Sequence, residues 1–219
     1  LILAEYEKNK KRVGDGDVKG QSQKLAIDAK RLNLAETRVL GLDKIRRKDS
    51  GAICGPKAAF LGELKHHFPD NVVRGAVIPF GVYASHFKRC KVAIPKHVAT
   101  KKIAVRAGTP LGDFVRKTYD LFFNNMLNNP KLSSTQLAEW IKPRLDIIRH
   151  SILRITLDPS FVQALKKELA AQGLFADRNM EVLRGVFVRS DTNVEDMPNF
   201  SGAGLNLTIF NLTAFKDVL

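Results

Sequence analysis

Cysteine is scarce in this chain: Cys54 and Cys90 are the two thiols among 219 residues. Two cysteines make no disulfide framework, and His66, His67, His86, His97 and His150 lack the paired spacing of a zinc site. Two reduced thiols in a cytoplasmic protein are the expectation. No apolar run approaches the roughly 18 residues that a membrane-spanning helix requires, so no membrane partner is expected. Leu1-Ile2-Leu3-Ala4 gives way at once to Glu5 and Glu7, which excludes a secretory signal as the reading of these residues. No Met opens the chain, and it reads as a piece of a longer polypeptide. No internal repeat is visible.

Acidic side chains are also missing from a long stretch. None occurs between Asp70 and Asp113, where Arg74, Lys88, Arg89, Lys91, Lys96, Lys101, Lys102 and Arg106 all fall. The whole chain carries a formal net charge of +14, which asks for an anionic partner without choosing between nucleic acid, a phosphorylated ligand and a solvated basic face. The hydrophobic share of 44% and charged share of 26% are those of an ordinary globular protein.

Residues 1–48 differ from the rest. They hold 13 Lys and Arg against 7 Asp and Glu, a turn-rich Gly14-Asp15-Gly16-Asp17 patch, and apolar residues without clean periodicity. A basic linker, or the tail of a preceding domain, is expected there. It should pack poorly on the remainder.

Order is expected from residue 49 onward. Gly55-Pro56 places proline in a first helical turn, and Ala58, Leu61, Leu64 and Phe68 follow at helical spacing. Val72-Val73 and Gly75–Pro79 read as a short buried strand, with a short helix near Tyr83–Cys90. Residues 113–173 are predicted to be a helical cluster. Its parts are an amphipathic run at Asp113–Leu127, a second helix opened by the Ser133 and Gln136 capping box, and a third opened by Asp158-Pro159 and ending at Gly173. Val186-Phe187-Val188 and the alternating Leu205–Leu212 read as adjacent strands of a mixed sheet.

Two segments could carry chemistry. Gly51-Ala52-Ile53-Cys54-Gly55-Pro56-Lys57-Ala58-Ala59 combines glycines with a helix start, whose free N–H groups and positive dipole end would face an anion, and adds the Lys57 charge. It is not a Walker A loop, which needs other spacing. A solvent-facing lysine at a helix start is the plain alternative. In the second segment, Val188-Arg189-Ser190-Asp191-Thr192-Asn193-Val194-Glu195-Asp196 through Ser201-Gly202-Ala203-Gly204, an arginine ends a strand with its fork aimed where loops meet. Hydroxyls and glycine amides follow and could line an anion-accepting loop. A polar turn between strands is the alternative here.

Taken together and in this order, the two segments resemble the nucleotide-binding domain of the phosphoenolpyruvate synthase and pyruvate phosphate dikinase family. Gly55–Leu64 is similar to its Gly-Gly-Lys-Ala-x-x-Leu-x-x-Leu opening, and Val77–Val82 to the strand that follows. Arg189–Gly204 is similar to its Val-Arg-Ser-Ser, Glu-Asp, Phe-Ala-Gly series and is closest to the glucan water dikinase version. The resemblance covers about residues 49–219. It implies an α+β fold, the amino-terminal lobe of an ATP-grasp unit, with a mixed β-sheet and a helical insertion.

It further implies that Lys57 and Arg189 contact ATP phosphates and that Ser190 and Ser201-Gly202-Ala203-Gly204 complete the site. Magnesium ligands would lie in a second lobe beyond Leu219. The whole enzyme would pass a phosphoryl group from ATP through a histidine on another domain to an acceptor such as pyruvate. This stretch alone is expected not to turn over. Three positions depart from the pattern: Pro56 replaces a glycine and removes an N–H, Asp191 replaces a serine and adds negative charge, and Ser201 stands where alanine is usual. A basic nucleic-acid-binding module and a non-catalytic scaffold of ATP-grasp origin are the competing readings. Against the first, the aromatics are concentrated in the helical middle at core spacing instead of between the basic residues.

Overall fold

The helix caps written in the sequence form as expected. The Ser133 hydroxyl accepts the Gln136 N–H at 3.2 Å while the Gln136 side chain accepts the Ser133 N–H at 2.9 Å. Asp158 accepts the Ser160 N–H at 3.1 Å, ahead of Pro159 at the first helical position. The computed structural model describes residues 31–98, 103–127, 129–193 and 207–219. In chain order the main elements are β1 (Leu40–Gly41), α1 (Pro56–His67), β2 (Ala76–Val77), α2 (Phe80–Arg89), α3 (Leu111–Leu121), α4 (Ser134–Ile152), α5 (Pro159–Ala171), β3 (Val182–Arg189) and β4 (Thr208–Ala214). The fold is therefore mixed α and β.

Instead of one mixed sheet, the described strands form two separate antiparallel pairs, β1 with β2 and β3 with β4. The first pair cannot grow. Leu42–Lys44 turns into a 3₁₀ helix directly after β1, and Phe80 opens α2 soon after β2. The β3–β4 pair is the hairpin expected from sequence, with Val188 opposite Ile209 and Arg189 opposite Thr208. Its register shifts near Gly185 and Asn211, both at positive φ, so the ladder is bulged there.

The chain divides into two compact units. Residues 87–155 form one. Its core joins Cys90, Val92, Val98, Ile103, Leu111, Phe114 and Ile147, and a smaller cluster joins Phe122, Leu137 and Ile141. Ser151 is buried here. Its hydroxyl donates to the Ile147 carbonyl at 2.7 Å and accepts the Ala93 N–H at 2.9 Å, fastening an irregular segment to α4.

The described residues of 31–86 and 156–219 form the other unit. One core there gathers Val39, Leu165, Leu169, Phe175, Leu183 and Phe215. A second gathers Leu42, Ile45, Cys54, Ala59 and Val77. The His86 ring, buried against Phe161, accepts the Asp158 N–H on Nε2 at 3.0 Å and donates from Nδ1 to the Val82 carbonyl at 2.8 Å.

Three expectations change. The segment ending at residue 48 is not wholly an appendage: Val39, Leu42 and Ile45 are core residues, Ile45 at 0% exposure. A two-residue strand and 3₁₀ turns give no periodic signal, which is why these residues looked patternless. The 113–173 helices are not one cluster either, because α5 buries Leu165 and Leu169 in the core that holds Phe175 and Phe215, apart from α3 and α4. In α1, Pro56, Ala59 and Gly62 are the buried positions, while Leu64 and Phe68 are exposed. Gly62 lets the Ile45 backbone approach; a Cβ there would meet the Ile45 carbonyl oxygen at 2.6 Å.

Candidate functional site

The loop before α1 is wound around one carbonyl. Asp49 O accepts the N–H groups of Ala52 and Ile53, each at 3.1 Å, and Gly51 turns the chain at φ 74°. This seats Cys54 in the core with its Sγ 3.8 Å from the same oxygen. Burial pushes the Cys54 thiol up to about 12, helped by the nearby charges of Asp191 and Asp49. Such a thiol is a packing residue rather than a nucleophile.

Gly55 is the N-cap of α1 and has no side chain to offer its first turn, which also lacks any acidic residue. The acceptor comes from far along the sequence. Asp191 Oδ1 takes the Lys57 N–H at 3.1 Å, and Asp191 Oδ2 takes the Ala58 N–H at 3.0 Å. Pro56 has no N–H, and the Ala59 N–H bonds to the Gly55 carbonyl at 3.2 Å. The N–H groups of Lys57, Ala58 and Ala59 are thus satisfied.

The expectation that this helix end presents free N–H groups to an external anion is therefore corrected: a carboxylate of the same chain holds them. Gly55 is what lets it in. A Cβ at Gly55 would lie 2.5 Å from Asp191 Cγ and 2.7 Å from the Thr192 carbonyl oxygen.

Asp191 follows β3 by two residues, so the contact joins the two segments singled out in the sequence. Lys57 is half-buried as the second residue of α1, and Arg189 is exposed at the end of β3. Ser190 is used by the hairpin: its N–H donates to the Leu207 carbonyl at 3.0 Å, and its hydroxyl accepts the Leu207 N–H at 2.9 Å. The proposed roles of Ser201, Gly202, Ala203 and Gly204 fall outside the described residues, as do Glu195 and Asp196. Among the described residues, no group of three or more His, Cys, Asp or Glu is placed to hold a metal ion, and no helix is long and apolar enough to cross a membrane.

Asp191 as a remote cap was legible only as an absence. A helix opening with Gly-Pro-Lys-Ala-Ala has no Ser, Thr, Asp or Asn at its N-cap and no acid in its first turn, so an acceptor from elsewhere was required.

In comparisons with known proteins, the chain matches no family model, no curated protein and no solved structure.

Proposed function

We propose that this chain is the ATP-binding lobe of a dikinase-type phosphotransferase, with Lys57 and Arg189 as the groups that meet the nucleotide phosphates. The observation that supports the reading best is the Asp191 contact. It brings together, across 134 positions of sequence, the two segments that resemble the family's phosphate-binding motifs. Because the α1 amides are already bonded, the charge stabilisation falls to the two side chains, with no acid–base chemistry required of them. The phosphoryl group would pass to a histidine on another domain and then to an acceptor such as pyruvate. Magnesium would accompany ATP, but the described residues supply no ligand cluster for it, and no step here is assigned to it.

Equilibrium ATP binding tests the reading, in the unsubstituted chain and in Lys57→Ala and Arg189→Ala. Each substitution is expected to weaken binding at least about tenfold, since each removes a charge-assisted contact to phosphate. Unchanged affinity in both variants would remove the phosphate-binding role. One observation favours a second reading, a scaffold that binds no nucleotide: the first turn of α1 is saturated by a carboxylate of its own chain. Failure of the unsubstituted chain to bind ATP would favour it.

A further inference from the structure

The geometry points to Asp191 as a positioning residue that ties the start of α1 to the exit of β3 and so fixes Lys57 relative to Arg189. This inference rests on the phosphate-binding reading above.

Three features make the contact a built one. Both carboxylate oxygens are engaged, one per amide, at 3.1 and 3.0 Å. The amides belong to consecutive residues of a first turn, so the carboxylate also lies at the positive end of the helix dipole. The N-cap is a glycine whose missing Cβ is the space that Asp191 enters, although its backbone, at φ −82° and ψ 179°, would suit any residue. On the other side, Asp191 is held by the hairpin through its neighbour Ser190, whose backbone and hydroxyl both pair with Leu207. The tie therefore runs from a helix start to a strand end through one side chain. Two cations that must grip one polyphosphate need a fixed separation, and small misplacements of such groups cost up to about a hundredfold.

The charge of Asp191 acts in the opposite direction, since a carboxylate near phosphates repels them. The two effects predict opposite signs, which makes the test decisive. The probes are ATP affinity and hydrogen exchange of the Lys57 and Ala58 amides, in the unsubstituted chain, Asp191→Ala and Asp191→Asn, with helix content checked by circular dichroism. Positioning predicts that Asp191→Ala binds ATP at least about tenfold more weakly and exchanges both amides at least about tenfold faster. Asp191→Asn, which keeps one acceptor oxygen and loses the charge, should fall between.

Unchanged or tighter ATP binding with freed amides would overturn the inference and make the carboxylate a bystander or a competitor of phosphate. Amides that stay protected in Asp191→Ala would overturn it as well, because the tie would then lie elsewhere. If Asp191→Ala does not fold, Asp191→Asn carries the same comparison. If the unsubstituted chain protects both amides yet binds no ATP, the phosphate reading fails. Asp191 is then a helix cap and not a positioning residue.

Discussion

Replacing Gly55 with alanine should damage the protein through a residue 136 positions away. The backbone at Gly55 is extended, so the new Cβ carries no conformational penalty of its own. The Cβ falls 2.5 Å from Asp191 Cγ and 2.7 Å from the Thr192 carbonyl oxygen, and the carboxylate must leave the α1 amides. Loss of a charged N-terminal cap costs about 1–2 kcal/mol, and hydrogen bonds to a charged group range up to about 3 kcal/mol. Against this, alanine reduces the freedom of the unfolded chain and returns about 0.4–1 kcal/mol. A net loss of about 1–2 kcal/mol is expected for Gly55→Ala and about 2 kcal/mol for Asp191→Ala.

The informative quantity is the coupling. Both substitutions break one contact, so the double variant should lose little more than Asp191→Ala alone, a coupling of about 1 kcal/mol or more. Urea unfolding followed by far-ultraviolet circular dichroism is suitable. Fluorescence of the single tryptophan is not, because Trp140 belongs to the 87–155 unit. A Gly55→Ala variant as stable as the parent, or a double variant equal to the sum of the singles, would refute the reasoning.

Three further outcomes are expected. Cys54 should resist alkylation in the native protein: with its thiol pushed up to about 12, the thiolate share at pH 8 is about a thousandfold below that of a free cysteine; rapid labelling of Cys54 at pH 8 without unfolding would contradict this. Ser151→Ala should cost about 1–3 kcal/mol by orphaning the half-buried Ala93 N–H, measured by Trp140 fluorescence during denaturation, and a loss under about 0.5 kcal/mol would show that another partner replaces the hydroxyl. Acid should weaken the protein below pH about 4. Hydrogen bonding to the Arg38 side chain holds Glu36 down to about 2, and the Val182 N–H holds Asp177 below its ordinary value, so both give stability that is present above the unfolded value and lost as pH falls. Glu36→Gln with Asp177→Asn should flatten that fall, and an unchanged pH profile would refute it.

What the sequence made legible was local. Ser133 with Gln136, Asp158 with Pro159, and Gly55 with Pro56 each announce a helix start within four residues, and each forms. The β3–β4 hairpin was legible from its alternation, although β3 begins four residues earlier than Val186 and β4 runs on to Ala214. What stayed hidden depends on distant pairing. The burial of Leu42 and Ile45 is decided by α1 and β2 and that of Val39 by α5 and β3, and nothing periodic marks it. Asp191 was visible as a negative charge in an unexpected place. That its carboxylate caps a helix 134 residues upstream could not be read from either segment alone.

The same distinction between sequence and space bears on the net charge of +14. The acid-free run from residue 71 to 112 looks like one basic patch in the sequence, yet Arg74 belongs to one compact unit and Lys88, Arg89, Lys91, Lys96 and Arg106 to the other. These five are exposed. A single-stranded nucleic-acid site needs aromatic faces interleaved with such cations, so that bases can stack while phosphates are neutralised. Among the described residues of that unit the exposed aromatics are Tyr119 and Phe123, which stack on each other at 5.9 Å on and just beyond α3, outside the basic run; Tyr83 of α2 is exposed within the run. Trp140 is covered by the Arg144 guanidinium at 3.6 Å. Five exposed cations in one unit suit general attraction of anions. That attraction is compatible with the nucleotide ligand proposed above, since a small, highly charged anion needs charge and not base stacking.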